Sequence, residues 1–141
     1  MRQSLSPQLL TAYEGADYVV LTRPELVLRI GEPSSRLDRL LDEAGAATAA
    51  FVTAANPNSE AKSAKENAPA IAALEEMVKA SGYPRHRAEG RDPAGRWPAE
   101  PGLLVIGIYR ANAEVLGRVF GQNAIVFIEK GKAPEIIVLA P

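Results

Sequence analysis

The chain contains no cysteine among its 141 residues and only one histidine, His86. The absence of cysteine excludes disulfides, thiolate metal sites and cysteine nucleophiles. A catalytic triad or metal site that needs histidine would have to include His86, because there is no second imidazole. Glu66, Asp92 and Glu100 stand too far apart in sequence to indicate a carboxylate site. The sequence therefore predicts no metal site.

A long apolar run and a strong net charge are also missing. No run approaches the roughly 18 residues that a membrane span requires, and the amino-terminal residues lack the apolar core of a secretory signal. The formal net charge of −1 gives no global electrostatic footprint of the kind that nonspecific nucleic-acid binding needs. These absences favour a cytoplasmic protein that does not contact membranes, and they disfavour nucleic acid as a partner.

The composition that remains is ordinary for a globular protein. Hydrophobic residues make up 47% of the chain and charged residues 23%, which is typical of soluble domains rather than disordered chains. A chain of 141 residues is long enough to bury its own core. Because there is no internal repeat and no linker, we predict one domain over residues 1–141.

Hydrophobic periodicity and turn residues predict an α+β fold, with three to four helices packed against a mainly antiparallel sheet. In chain order the predicted elements are a helix over 7–13, a hairpin of 18–22 and 26–30, a helix over 37–44, a buried strand over 47–55, a helix from Ala68 to Ser81-Gly82, strands over 86–90 and 103–109, a helix over 111–120, and a hairpin of 124–128 and 135–139.

The start of the third helix has two interpretations. Ser63 and Glu66 form a capping-box pattern, but a helix capped there places Pro69 beyond its first turn, where proline costs about 3 kcal/mol. Capping by Asn67 puts Pro69 at the second helical position, where its missing N–H is harmless. We therefore predict Asn67 as the N-cap. The predicted inward faces are Ala68, Ile71, Leu74, Met77 and Val78 on this helix, and Val115, Leu116, Val119 and Phe120 on the fourth.

Polar residues follow the buried strand over 47–55. Asn56-Pro57 begins a loop at its carboxyl end, where the N–H groups of a helix start can hold a small anion. Asn56 either contributes to such a site or only caps the turn, since Asn before Pro is a common turn former. Glu66 could act as a general base and Asn67 as a ligand donor, although helix capping explains both without a substrate.

The segment 83–101 is rich in proline, glycine and arginine. A long irregular segment in a compact domain is often a functional lid or binding loop. An anion-binding wall, with an aromatic ring that stacks on a base or sugar, could be formed by Arg85, Arg87, Arg91 and Arg96 together with His86 and Trp97. Alternatively, Asp92 begins a tight turn and pairs with an arginine, while Trp97 fills the edge of the core. Both interpretations stay open.

Gln122-Asn123 follows a glycine that ends the fourth helix. Asn123 either bonds to the loop as part of a carboxyl-terminal cap, or the two amides recognise a planar ligand. The glycines at 90, 95 and 102 match no phosphate-loop template, and the cofactor stays unknown.

Several loop motifs can be considered together. They are Thr53-Ala-Ala-Asn56-Pro57-Asn-Ser59, Ser63 with Glu66-Asn67, Gly90-Arg-Asp92-Pro93-Ala-Gly95-Arg-Trp97-Pro98-Ala-Glu100, Gly107-Ile108, and Phe120-Gly121-Gln122-Asn123-Ala124. In combination, over roughly 11–127, they resemble a bacterial domain family of unknown function in which a large aromatic often occupies the place of Ala55. The resemblance implies a shared fold and a shared site, but it carries no activity.

The leading hypothesis is that the chain binds a small anionic molecule, such as a nucleotide or a phosphorylated metabolite. The site would lie between the Asn56 loop and the loop that contains Arg91 and Trp97, with Gln122 and Asn123 on a third side. This hypothesis requires the loops to lie at the same end of the sheet. The alternative is a non-catalytic protein-interaction module whose partner meets a sheet edge or the Trp97 loop. An exposed apolar patch around Trp97, in place of a concave polar pocket, would favour it.

The sequence does not decide whether the protein is an enzyme. If it is one, Glu66 or Asp92 would be the acid or base, and Arg91 or Arg96 would stabilise charge. Neither the reaction nor the oligomeric state follows from these residues.

Overall fold

A computed structural model describes residues 5–139, so the ends of the predicted domain, 1–4 and 140–141, lie outside the described residues. Within 5–139 the chain forms four helices and seven strands. In chain order these are α1 (Pro7–Gly15), β1 (Asp17–Val20), β2 (Leu26–Arg29), α2 (Ser35–Glu43), β3 (Thr48–Thr53), α3 (Ala64–Ala80), β4 (Arg85–Arg91), β5 (Glu100–Ile106), α4 (Arg110–Val119), β6 (Ala124–Glu129) and β7 (Glu135–Val138). The predicted α+β class is confirmed.

The seven described strands form one sheet in the order β2-β1-β4-β5-β3-β6-β7. Every pair of neighbouring strands is antiparallel, which confirms the predicted strand direction. The sheet curls. Gly31, just after edge strand β2, donates its N–H to the carbonyl of Pro134, just before edge strand β7, at 3.0 Å.

Both faces of the sheet are covered. Successive residues of a strand point to opposite faces, and we name the two faces after neighbouring residues of β3, Phe51 and Val52. The Phe51 face packs against Leu37 and Leu41 of α2. The Val52 face packs against residues of α3 and α4. This double burial explains why the predicted strand over 47–55 carries only uncharged residues.

The predicted N-cap of α3 is wrong. Ser63 Oγ accepts the Glu66 N–H at 3.1 Å, and Glu66 Oε1 accepts the Ser63 N–H at 3.0 Å, so the capping box forms and α3 begins at Ala64. Pro69 therefore lies inside the helix, at an exposed position. Asn67, the predicted cap, is instead buried in the first turns of α3, where its side chain bonds to Asn56. The capping box and the hydrogen bonds between Asn67 and Asn56 thus stabilise this helix start by more than Pro69 costs through its one missing helical hydrogen bond.

The predicted inward face of α3 is only partly correct. Leu74 and Val78 are buried, but Met77 is 43% exposed and Ala68 is exposed. The buried side of the first turn is occupied by Asn67 rather than by an apolar residue. Because the polar Asn67 lies on the core side of α3, the apolar residues alone indicate an inward face that differs from the real one.

The predicted inward face of α4 is wrong at Val115 and Val119, each of which is 57% exposed. Leu116 is buried as predicted, and the rest of the buried side of α4 is formed by Ala113 and Gly117. A Cβ added to Gly117 would lie 2.5 Å from Leu139 Cδ1 and 2.8 Å from Ile125 Cγ2. Because α4 packs partly through small residues, the positions of its large apolar residues do not predict its inward face correctly.

The predicted strand over 86–90 is confirmed as part of β4, and the irregular part of the segment over 83–101 is shorter than expected. β4 and β5 occupy both of its ends, and the pairing of Gly90 with Glu100 leaves only residues 92–99 as a loop. The predicted tight turn at Asp92 is present, because the Gly95 N–H donates to the Asp92 carbonyl at 2.9 Å.

Candidate functional site

Three predicted loops meet at one end of the sheet. The Asn56 loop follows β3, the 92–99 loop joins β4 to β5, and Gln122-Asn123 precedes β6. Antiparallel pairing places these strand ends beside one another. We call this end of the sheet, with its three loops, the mouth. The requirement that the loops share one end of the sheet is met.

Asn56 joins two of these loops to α3. Its N–H donates to Asn67 Oδ1 at 2.9 Å, and its Oδ1 accepts from Asn67 Nδ2 at 3.0 Å. The same Oδ1 accepts the Lys62 N–H at 2.9 Å, while Asn56 Nδ2 donates to Glu100 Oε2 at 2.6 Å. Asn56 thus supports its own loop, as the capping interpretation predicts, and also contacts a carboxyl group of β5.

The Asn56 loop has an uncommon backbone conformation. Asn56 and Ser59 both have positive φ, 49° and 60°, and Ser rarely adopts the left-handed region that Asn tolerates. Ser59 Oγ is bonded to Tyr13 OH at 2.7 Å and accepts from Asn123 Nδ2 at 2.8 Å. Strained backbone of this kind concentrates at functional sites, and here it brings α1 and the Gln122-Asn123 loop to the mouth.

Gln122 forms hydrogen bonds on the third side of the mouth. Its Nε2 donates to the carbonyl of Ala55 at 3.1 Å and to that of Phe120 at 3.2 Å. Gln122 and Asn123 are 7% and 4% exposed. Both amides of this predicted pair therefore fix neighbouring loops, as capping residues do.

Two adjoining spaces open at the mouth. A cavity of about 40 Å³ lies on the Phe51 face, and a larger groove of about 970 Å³ runs beside α3. Residues along the groove include Leu9, Asn67, Ile71, Arg87 and Leu103. Four side chains line both spaces, namely Tyr13, Asn56, Trp97 and Glu100. The cavity and the groove therefore meet at these four residues.

The two predicted acid/base residues line neither space. Glu66 is exposed on α3, and its pKa is lowered mainly by the Ser63 N–H that its carboxylate accepts. Asp92 belongs to the 92–99 turn, where both of its oxygens accept hydrogen bonds from Ala94 or Arg96. The described geometry uses Glu66 as a helix cap and Asp92 as a turn anchor.

The two predicted charge-stabilising arginines bind carboxylates of the protein. Arg96 Nε donates to Asp92 Oδ2 at 2.9 Å, and Arg91 Nε donates to Glu89 Oε1 at 2.8 Å. Arg91 also reaches Glu25 at 3.4 Å. Neither arginine lines the cavity or the groove, although Trp97, from the same predicted wall, lines both.

Asp92 is expected to make stability depend on pH in the acid range. The Arg96 side chain is the main reason that the pKa of Asp92 is lowered to about 2, below its usual value near 4. Because the pKa is lower in the folded chain, its stabilisation is present above about pH 4 and disappears as the pH falls through about 2. We expect Asp92→Asn to lower Tm at neutral pH and to match wild type near pH 2. A constant Tm difference would contradict this assignment.

Glu100 is the functional candidate that the site prediction missed. Burial raises its pKa, and the hydrogen bond from Asn56 opposes that shift only partly. The same carboxyl contributes to raising the pKa of Tyr13 and Tyr18. A signal was available, because Glu100 ends the longest motif and lies on the same strand face as Gly102 and Leu104. Nothing in sequence showed that this face opens into a cavity.

Glu100 should destabilise the fold at neutral and alkaline pH. A raised carboxyl pKa means that stability is complete below the unfolded pKa and is lost as the pH rises through the folded pKa. We expect Glu100→Gln, which keeps an acceptor for Asn56, to melt about 2–5 °C above wild type at pH 8. The difference should vanish near pH 4. Tyr13 and Tyr18 face the same carboxyl group. Tyr13→Phe is the control, because it changes a neighbour of Glu100 but keeps the carboxyl group, so the pH dependence of Tm should remain.

A family model described as protein of unknown function DUF3293 matches residues 52–125, just over half of the 141-residue chain. The chain belongs to the DUF3293 family. The matched region runs from β3 to the start of β6 and includes the three loops of the mouth. Neither the curated proteins nor the solved structures give a match.

Tyr13 and Tyr18 contribute to the mouth from outside the region that the DUF3293 model matches. Among residues 5–139 there is no group of three potential metal ligands. No helix in that range is long and apolar enough to cross a bilayer.

Proposed function

We propose that this DUF3293 protein binds a small organic molecule at the mouth. The observation that carries the proposal is the set of four side chains, Tyr13, Asn56, Trp97 and Glu100, that line both the cavity and the groove. The groove volume of about 970 Å³ lies at the upper end of the range for small-molecule sites, about 300–1,000 Å³. Such sites combine apolar walls with a few polar groups that orient the ligand.

The groove has that combination of groups. Ile71, Leu103 and the ring of Trp97 supply apolar surface, while Asn67 and Glu100 supply polar atoms. A carboxyl group whose pKa is raised by burial, in a cleft, is typical of binding and catalytic sites. Glu100 is therefore the polar residue that we assign to ligand orientation.

The anionic ligand inferred from sequence stays a prediction. The guanidinium groups that were predicted to bind it, those of Arg91 and Arg96, would have to leave Glu89 and Asp92 to reach a ligand. Lys62 and Arg87 line the groove and are the cations available to an anion there. Cytoplasmic location likewise stays a prediction.

Trp97 provides a direct test. It is the only tryptophan in the chain, which also has four tyrosines, so fluorescence excited selectively at tryptophan reports on the mouth. We expect at least one class in a panel of amines, alcohols, carboxylates, phosphates and nucleotides to change this fluorescence in a saturable way and to raise Tm. Saturation by phosphates or nucleotides would support the hypothesis of an anionic ligand. Saturation by an amine or an alcohol would contradict that hypothesis.

Two substitutions on α3 provide a matched control. Ala72 lines the groove, whereas Ala80, at the end of the same helix, does not. Ala72→Phe should weaken binding, and Ala80→Phe should leave it unchanged. If both variants bind as wild type does, or if no compound perturbs Trp97, the proposal is wrong.

The interaction-module hypothesis placed the partner at a sheet edge or the Trp97 loop and stays a prediction, but a different surface, on α4, suggests a second candidate. Val115 and Val119 lie one turn apart on α4, and each is 57% exposed; Tyr109, at the start of α4, is 71% exposed. We propose as the second candidate that this surface pairs with a second copy of the chain. Sedimentation velocity should then show a dimer that Val115→Glu dissociates. A wild-type monomer at high concentration would refute this candidate.

A further inference from the structure

The cavity at the mouth has an unusual combination of lining groups. Four aromatic side chains line it, those of Tyr13, Tyr18, Phe51 and Trp97, together with the carboxyl group of Glu100. The rings of Tyr18 and Phe51 pack with centroids 5.2 Å apart. Aromatic rings attract cations through their quadrupole, and a nearby carboxylate adds a full negative charge.

Within the described part of the chain, no positive charge balances this carboxylate. Lys, Arg and His are all absent from the cavity lining, and within residues 5–139 Glu100 forms no ion pair. The hydrogen bond from Asn56 goes to Oε2, and no described residue donates to Oε1. One carboxylate oxygen is thus available to a donor from outside the chain.

The cavity volume limits the group that fits. About 40 Å³ corresponds to roughly three water positions at 10–15 Å³ each. A –CH₂–NH₃⁺ group needs fewer of these positions than a trimethylammonium group does, so the smaller head group fits the cavity better. An ammonium group also brings three N–H donors, which a site rich in acceptors and aromatic rings can use.

We propose that the cavity binds the primary ammonium group of a small amine, whose carbon body lies in the adjoining groove. This inference rests on the proposed function and names its ligand class. Glu100 accepts from the ammonium, and Asn56 positions the carboxyl group through its bond to Oε2. A bound cation would also offset the desolvation that raises the pKa of Glu100.

Four probes with the same carbon chain test the head group: n-butylammonium, butanol, butyrate and butyltrimethylammonium. Their binding is measured by Trp97 fluorescence, with n-butylammonium expected at a Kd on the order of 1 mM. We expect butanol, butyrate and butyltrimethylammonium each to bind at least about tenfold more weakly. A lysine tripeptide added to the series distinguishes a small amine from a peptide side chain.

Two cavity variants complete the test. Glu100→Gln should weaken n-butylammonium by about tenfold or more and leave butanol unchanged. Gly90→Ala should also weaken it, because the added Cβ would project toward the cavity while keeping ordinary contacts of 3.8–3.9 Å with Tyr18 and Phe51. Urea unfolding of both variants confirms that they fold.

The outcomes separate the two proposals. If butanol or butyrate binds as tightly as n-butylammonium, or if Glu100→Gln has no effect, the ammonium assignment is wrong. The groove proposal still stands in that case, provided that Ala72→Phe weakens the same probes. If no probe saturates the Trp97 signal and the wider panel also fails, both proposals are wrong.

Discussion

Replacing Asn67 with alanine is expected to lower the free energy of unfolding by about 2–4 kcal/mol. The side chain is 7% exposed and exchanges two hydrogen bonds with Asn56. Alanine would leave the Asn56 N–H without its acceptor inside the protein, and an unsatisfied buried group costs about 1–3 kcal/mol. Urea unfolding measures the change.

A double-mutant cycle with Asn56→Gly separates this network from the rest of α3. Glycine is chosen because Asn56 has a φ of 49°, which glycine adopts without strain. Both substitutions remove the bond from Asn67 Nδ2 to Asn56 Oδ1, whereas the bond from the backbone N–H of residue 56 is lost only in Asn67→Ala. Because one bond is shared, the double variant should be less destabilised than the sum of the two, by about 0.5–3 kcal/mol. Additive effects, or an Asn67→Ala effect below about 0.5 kcal/mol, would show that the network does not support the loop.

Gly102→Ala should destabilise the fold by about 2–4 kcal/mol. A Cβ on Gly102 would lie 2.6 Å from the Val52 carbonyl oxygen and 3.0 Å from the Phe51 ring. The ring can turn, but the backbone oxygen belongs to the β3–β5 ladder and can move only with the sheet. Urea unfolding again gives the size of the effect.

Gly90→Ala is the matched control, because Gly90 lies under the same Phe51 ring. Its added Cβ would meet nothing closer than 3.8 Å, so we expect a change within about 1 kcal/mol. Equal effects of the two substitutions would contradict the close approach of β3 to Gly102. If Gly102→Ala perturbs Trp97 fluorescence while Gly90→Ala does not, the Phe51 ring transmits the clash to the mouth.

Much of the fold could be predicted because its signals are local. The first and last hairpins follow from β-branched runs around short turns, and β3 follows from its uncharged stretch. The start of α3 was mispredicted because a local cost at Pro69 was weighed without the tertiary bonds of Asn67. The inward face of α4 was mispredicted because Gly117 has no side chain to enter a periodicity pattern.

The site could be predicted only in outline. The loops that meet at the mouth were identified, and so were Asn56, Trp97 and Gln122, which line the cavity. Glu100 was not nominated, because its importance depends on burial between strands that pair only in the folded chain. Arg91 and Arg96 were nominated as charge stabilisers. The alternative in which Asp92 pairs with an arginine is the one found for Arg96, whereas the sequence did not indicate Glu89 as the partner of Arg91.

The motif residues of this DUF3293 protein divide into two groups. Ser59, Asn67, Gln122 and Asn123 bond to neighbouring loops and keep the mouth in shape. Trp97 and Glu100 differ from them in lining both the cavity and the groove. Substitutions in the first group should change stability before binding, and substitutions in the second should change binding first.

The central claim is that the mouth is the ligand site, and amide chemical-shift mapping with ¹⁵N-labelled protein tests it without assuming the ligand. A small-fragment library that includes the butyl probes would be titrated, and the shifted amides would be assigned. The account predicts shifts in 53–63, 92–100 and 120–124, with the indole N–H of Trp97 among the largest. Shifts confined to the exposed side of α4 around Val115 and Val119, or no shifts at all, would contradict it.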